Sequence, residues 1–172
     1  MEGFGLLQDG TTFRLSIVDI SYDGCKVESS VALFPGLSLT MSVTGIAGAI
    51  DARVSWCREG RAGLRFDPDR APEKSHQPRV SERAEVEAEV SLRRSGGHSY
   101  RVRLFDLTGA GCKIEFVERP KGGELVWVKF DGIEAIEATV CWVDGHTGGL
   151  RFLRPFYPSV FELLLARLQA PA

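Results

Sequence analysis

Asp19–Glu28 reads DISYDGCKVE, and Asp106–Glu115 reads DLTGAGCKIE, with Asp, a hydroxyl residue, Gly, Cys, Lys and Glu in matching places 87 residues apart. Further along, Val54–Phe66 reads VSWCREGRAGLRF and Val140–Phe152 reads VCWVDGHTGGLRF, 86 residues apart. Two separated blocks in almost constant register mark an internal duplication, with a one-residue indel between them. The 172 residues therefore predict two small domains, although the length alone would also permit one large domain.

Outward from these blocks, each copy reads as short strands separated by glycine-rich or acidic punctuation. FRLSIVDI (Phe13–Ile20) and SYRVRLFDL (Ser99–Leu107) alternate apolar and polar positions, as half-buried strands do. CKVES and CKIEF follow as return strands. Next come LSLTMSV and ELVWVKF, then AIDARVSWCRE and IEATVCWVDG, and finally AGLRF and GGLRF. The expectation is a mainly all-β protein: two tandem small antiparallel barrels, each a five- or six-stranded meander curled to protect its edges. A helix follows the second barrel, with Ser159 and Glu162 at capping-box spacing and Val160, Leu163, Leu164 and Leu168 on one face.

The two copies differ at their ends. Copy 2 gains an alternating first strand, AEVEAEVSL (Ala84–Leu92), with Glu85, Glu87 and Glu89 on its solvent face. Copy 1 is expected to lack most of this strand, leaving an edge that a second chain could cover in a homo-oligomer. The segment DPDRAPEKSHQP (Asp67–Pro78) is rich in Pro and charge and reads as a linker. The predicted organisation is thus a degenerate barrel over 1–66, a linker over 67–78 and a complete domain over 79–172.

Composition excludes several classes. A hydrophobic fraction of 44% with 26% charged residues is that of a folded globular protein. No apolar run reaches the roughly 18 to 20 residues that span a bilayer, and no secretory signal opens the chain, so a cytoplasmic location is expected. A net charge of −2 excludes a broad basic face for long nucleic acid. Cys25, Cys57, Cys112 and Cys141 form neither a CxxC pair nor a Cys/His set, so no metal is expected and all four read as buried small hydrophobes. Trp56 and Trp142 read as core residues. His76, His98 and His146 have no nucleophile or paired carboxylate beside them. No catalytic residue is therefore assigned, and the chain reads as a binding protein rather than an enzyme.

Two elements suit a ligand. RVSER places Arg79 and Arg83 four apart, just ahead of the first strand of copy 2. Guanidinium groups are permanently charged, fork onto phosphate oxygens and stack on bases. DLTGAG (Asp106–Gly111) leaves the next strand. Its carboxylate could accept from the N1 and N2 donors of a guanine, its hydroxyl could add a contact, and its glycine permits a tight or positive-φ turn.

RxxxR followed about 20 residues later by DxTxxG, in a β-barrel pattern, resembles the PilZ family. Arg79 to Gln169 match the family layout, including the closing GGLRF strand and the helix, and Thr11 to Phe66 look like a truncated second copy. The resemblance implies a six-stranded barrel that senses the bacterial second messenger cyclic di-GMP. Arg79 and Arg83 would grip phosphates and stack on guanine, while Asp106, Thr108 and Gly111 would recognise the base edge. Thr108 stands where serine is more usual. Pro78 stands where some members carry a basic residue that recruits a second ligand molecule. Copy 1 keeps Asp19, Ser21 and Gly24, yet no arginine pair can precede them in this sequence. The expected function is a cyclic di-GMP receptor, without a cofactor, in which residues 67–83 wrap the ligand and reorient the two copies to regulate a protein partner. The competing reading is a ligand-independent adaptor built on the same scaffold.

Overall fold

A computed structural model describes residues 1–46, 48–66 and 84–169. The expected linker, Asp67–Pro78, and both Arg79 and Arg83 lie outside the described residues.

The first barrel is built from β1 (Glu2–Leu7), β2 (Thr12–Ile20), β3 (Gly24–Ser29), β4 (Ser38–Val43), β5 (Ile50–Arg58) and β6 (Arg61–Phe66). The second repeats it with β7 (Ala84–Arg94), β8 (Ser99–Thr108), β9 (Gly111–Glu115), β10 (Leu125–Lys129), β11 (Ile136–Asp144) and β12 (Thr147–Phe152). Both are closed antiparallel barrels, in the order β1-β2-β3-β6-β5-β4 and its counterpart β7-β8-β9-β12-β11-β10. The connectivity departs from a simple meander. The third strand of each barrel pairs with the sixth and the fourth closes onto the first, so the connection between the third and fourth strands crosses one end of the barrel.

Alternation along the strands fills each interior. Leu15, Val27, Met41, Val54 and Leu64 line the first barrel, and Leu92, Leu104, Ile114, Val126, Val140 and Leu150 line the second. Each fully buried aliphatic side chain contributes about 1.5 to 3 kcal/mol relative to exposure. Among the described residues no polar or charged residue is buried as a whole, so the cores are apolar; the Tyr100 Oη and Arg167 Nη1 atoms are buried without a hydrogen-bond partner, each at a desolvation cost.

The expected loss of the first strand from copy 1 is overturned. β1 pairs with both β2 and β4 and completes the closure, so no open edge remains in that barrel. Its pattern is inverted: Phe4 and Leu6 face outward, 54% and 44% exposed, while Gly3 and Gly5 face the interior. The Phe13 ring lies over Gly5 and a Leu15 methyl over Gly3, so side chains from β2 occupy the space that β1 leaves empty.

The helix α1 spans Pro158–Gln169 and buries Val160, Leu163 and Leu164. Phe161 N donates to Tyr157 O at 2.9 Å, so the helix starts at Pro158, whose fixed φ suits a first turn, and Ser159 lies inside it rather than capping it. The chain divides into two compact units, Met1–His76 with Tyr157–Ala172, and Gln77–Phe156. In sequence α1 follows the second barrel, but in packing it groups with the first and touches β2.

Candidate ligand-binding corner

Asp106, Thr108 and Gly111 come together where β8 turns into β9. A bulge between Leu104 and Asp106 inserts Phe105 as an extra residue, after which Asp106 faces Lys113, Leu107 faces Cys112 and Thr108 faces Gly111. A bulge bends its strand and re-aims the side chains beyond it. Because Leu107 and Cys112 point into the core, Asp106 and Thr108 lie on the outer face, both half-buried. The first barrel has the same bulge between Ile17 and Asp19.

Each corner residue has a definite physical role. The Thr108 hydroxyl donates to Gly111 O at 3.1 Å and accepts from Ala110 N at 3.2 Å, closing the turn on itself. Gly111 is not among the positive-φ glycines. A Cβ at this position would overlap the Leu150 carbonyl oxygen, so glycine is required for the close approach of β9 and β12 and not for a left-handed turn. Gly24 stands in the same relation to Leu64. Beside the corner, the Lys113 ammonium lies 5.6 Å from the centre of the Phe105 ring, within range of a cation–π contact. Among the described residues, the Asp106 carboxylate has no hydrogen bond or ion pair.

In copy 1 the corresponding groups satisfy one another. Lys26 Nζ lies 3.9 Å from Asp19 Oδ2, Arg65 Nε lies 3.1 Å from Asp23 Oδ2, and Ser21 Oγ donates to Asp23 Oδ1 at 3.5 Å. The two corners share a backbone frame and differ in whether their charges are already partnered.

Two assignments from sequence are corrected. Trp56 and Trp142 are not core residues, being 42% and 45% exposed. Each follows a bulge in its strand and lies across a facing glycine, Gly63 or Gly149, where any Cβ would collide with the indole. Gly149 pairs with Lys113, which pairs with Asp106, so Trp142 belongs to the same outer face as the corner. Sequence reading missed it, although the glycine that recurs seven residues after each tryptophan was the available signal. Of the cysteines, Cys25 and Cys112 are buried, Cys57 is half-buried and Cys141 is exposed. Burial pushes the Cys25 thiol up to about 12. It also raises Cys112, with the nearby Asp106 carboxylate adding to the effect.

Among the described residues, no group of three or more His, Cys, Asp and Glu side chains could hold a metal ion. No described helix is long and apolar enough to cross a membrane.

The sequence matches the PilZ domain family twice, over residues 3–76 and 77–164. No curated protein matched it. Among solved structures, it is similar to the Bacillus subtilis inhibitor of motility MotI/DgrA, with 13% identity over 95% of this chain and 92% of that one and a TM-score of 0.41. It is also similar to Borreliella burgdorferi PlzA in complex with c-di-GMP, with 13% identity, 98% and 87% coverage and a TM-score of 0.40. Escherichia coli YcgR in complex with c-di-GMP gives 15% identity, 96% and 81% coverage and a TM-score of 0.40.

Proposed function

The chain belongs to the PilZ domain family in both of its halves, and on that premise we propose that it is a cyclic di-GMP receptor that binds through its second barrel. The observation that carries this reading is the contrast between the two corners. In copy 1 the charged groups of the turn are paired internally; in copy 2 the Asp106 carboxylate stands on the outer face with no partner among the described residues. A half-buried, unpaired carboxylate is ready to accept the N1 and N2 donors of a guanine, and it loses little water in doing so. The phosphates of a doubly negative ligand need cations, and Arg79 and Arg83 of the RxxxR segment supply them. Trp142, held flat over Gly149, extends the same face with an aromatic surface on which a base can stack.

In copy 1 the corner acids Asp19 and Asp23 are already held by Lys26 and Arg65, so its part is structural or in partner docking. The two arginines come from the segment that joins the copies, which ties ligand occupancy to the arrangement of the copies and so to how a partner protein is engaged. Nothing in this scheme requires a bond to be made or broken, and the protein acts by binding. Calorimetric titration with cyclic di-GMP tests the reading, with Arg83→Ala as the control. Binding heat that disappears in the variant supports the receptor, whereas no heat from the unaltered protein at tens of micromolar ligand, on the order of the affinity such a site needs, rejects it.

A further inference from the structure

The duplication contains an internal control at one position. In copy 1 the carbonyl oxygen of Asp23 accepts from Phe66 N at 2.8 Å; in copy 2 the carbonyl oxygen of Ala110 accepts from Phe152 N at 2.9 Å. The backbone at 23 and 110 therefore stands in the same relation to the last strand of its barrel. Arg65 and Arg151 are likewise equivalent, facing Gly24 and Gly111. The side chains differ. Asp23 holds Arg65 in an ion pair at 3.1 Å, whereas Ala110 has no carboxylate to offer. Arg151 is exposed, and its guanidinium has no hydrogen bond or ion pair among the described residues.

Register puts this arginine in the corner. Thr108 pairs with Gly111 and Gly111 with Arg151, and Leu107, Cys112 and Leu150 in the neighbouring row all point inward. Thr108, Gly111 and Arg151 therefore share the outer face, with the glycine leaving a notch between the other two. Two strand spacings, roughly 10 Å, separate the hydroxyl from the arginine backbone, a gap that a flat purine or a phosphate can bridge.

We infer that Arg151 is a further ligand-binding residue of the second barrel, released for that role because alanine replaces the carboxylate at position 110. Its guanidinium presents donors to the acceptor atoms of the bound nucleotide, on the side of the notch away from Asp106. The inference rests on the second barrel binding cyclic di-GMP. It adds a cation outside the RxxxR segment.

The test is calorimetric titration of the full chain with cyclic di-GMP for four proteins: unaltered, Arg151→Ala, Ala110→Asp, and the double variant. Both positions are exposed, and circular dichroism checks that each variant keeps its fold. Arg151→Ala is expected to weaken binding about tenfold or more, as loss of a charge-assisted hydrogen bond does. Ala110→Asp, which installs the carboxylate of copy 1, is expected to weaken it comparably by capturing Arg151. In the double variant the two effects should not add, because they act through one side chain. An unaltered protein that binds while Arg151→Ala binds as tightly overturns the inference and leaves the receptor reading intact. Additive losses in the double variant also overturn the release mechanism, since the new carboxylate would then act by repelling the ligand. A silent unaltered protein overturns the receptor reading itself.

Discussion

The Thr108 hydroxyl donates to the Gly111 carbonyl oxygen at 3.1 Å, spanning the turn that carries the candidate corner. With the reciprocal bond from Ala110 N at 3.2 Å, it holds the backbone of the turn in one conformation. Thr108→Ser keeps both bonds and is expected to bind cyclic di-GMP within about twofold of the unaltered protein. Thr108→Ala loses them and should weaken binding about tenfold, as removal of a net hydrogen-bond contribution of about 1 kcal/mol or slightly more implies. Titration of the two variants side by side checks this, and equal affinities would show that the hydroxyl serves neither turn nor ligand.

Gly111 and Gly24 fill equivalent places, and substitution separates structure from function. Any Cβ meets a carbonyl oxygen, that of Leu150 or that of Leu64, so each change to alanine should cost about 1 to 3 kcal/mol through overpacking. Gly111→Ala is expected to lower stability and abolish detectable binding together. Gly24→Ala should lower stability similarly and leave the affinity unchanged. Chemical denaturation and titration of both variants give the comparison.

Much of this was legible from the two repeated blocks, because the pairing of Asp, a hydroxyl residue and Gly marks a tight turn wherever strand alternation surrounds it. The duplication, the barrels and the helix follow from periodicity that burial then obeys. β1 was illegible for a specific reason. Strand recognition rests on apolar side chains facing inward, and here the inward positions are Gly3 and Gly5 while Phe4 and Leu6 face out. Only the three-dimensional position of Phe13 explains why glycine belongs there. The tryptophans were misread for a related reason: a bulge shifts the alternation by one residue, moving Trp56 and Trp142 from the expected inner row to the outside. Arg151 could not be singled out from sequence, since its meaning depends on the residue facing it across a turn and a strand.

The compensation of β1 by Phe13 yields its own prediction. Phe13 is 5% exposed and fills the space above Gly5, so Phe13→Ala should destabilise the first barrel by about 3 to 5 kcal/mol through the cavity it leaves. Phe4, on the opposite face of β1, is exposed, and Phe4→Ser should change stability by no more than about 0.5 kcal/mol. Urea denaturation distinguishes the two. A larger loss at Phe4 than at Phe13 would contradict the inverted arrangement of the strand.

Acid should act on the second barrel through Glu124. Arg94 donates to it from Nε at 2.6 Å and from Nη2 at 3.0 Å, and Lys121 N adds a third donor at 3.0 Å. The Arg94 hydrogen bond first, and the Lys121 amide second, hold the carboxyl below the ordinary glutamate value of 4.5. A carboxyl whose folded value is depressed binds its proton more readily in the unfolded chain, so its contribution to stability is complete above that ordinary value and is lost as pH falls through the lower, folded one. Arg94 is also shifted, upward, but it stays charged throughout this range and adds no slope. Glu124→Gln keeps the shape and removes the charge. It is expected to melt several degrees below the unaltered protein at neutral pH, with the gap closing as the pH is taken well below the glutamate range. Thermal melts across that range check the sign, and a gap that stayed constant into strong acid would mean that the neutral amide loses packing rather than an ionic contact.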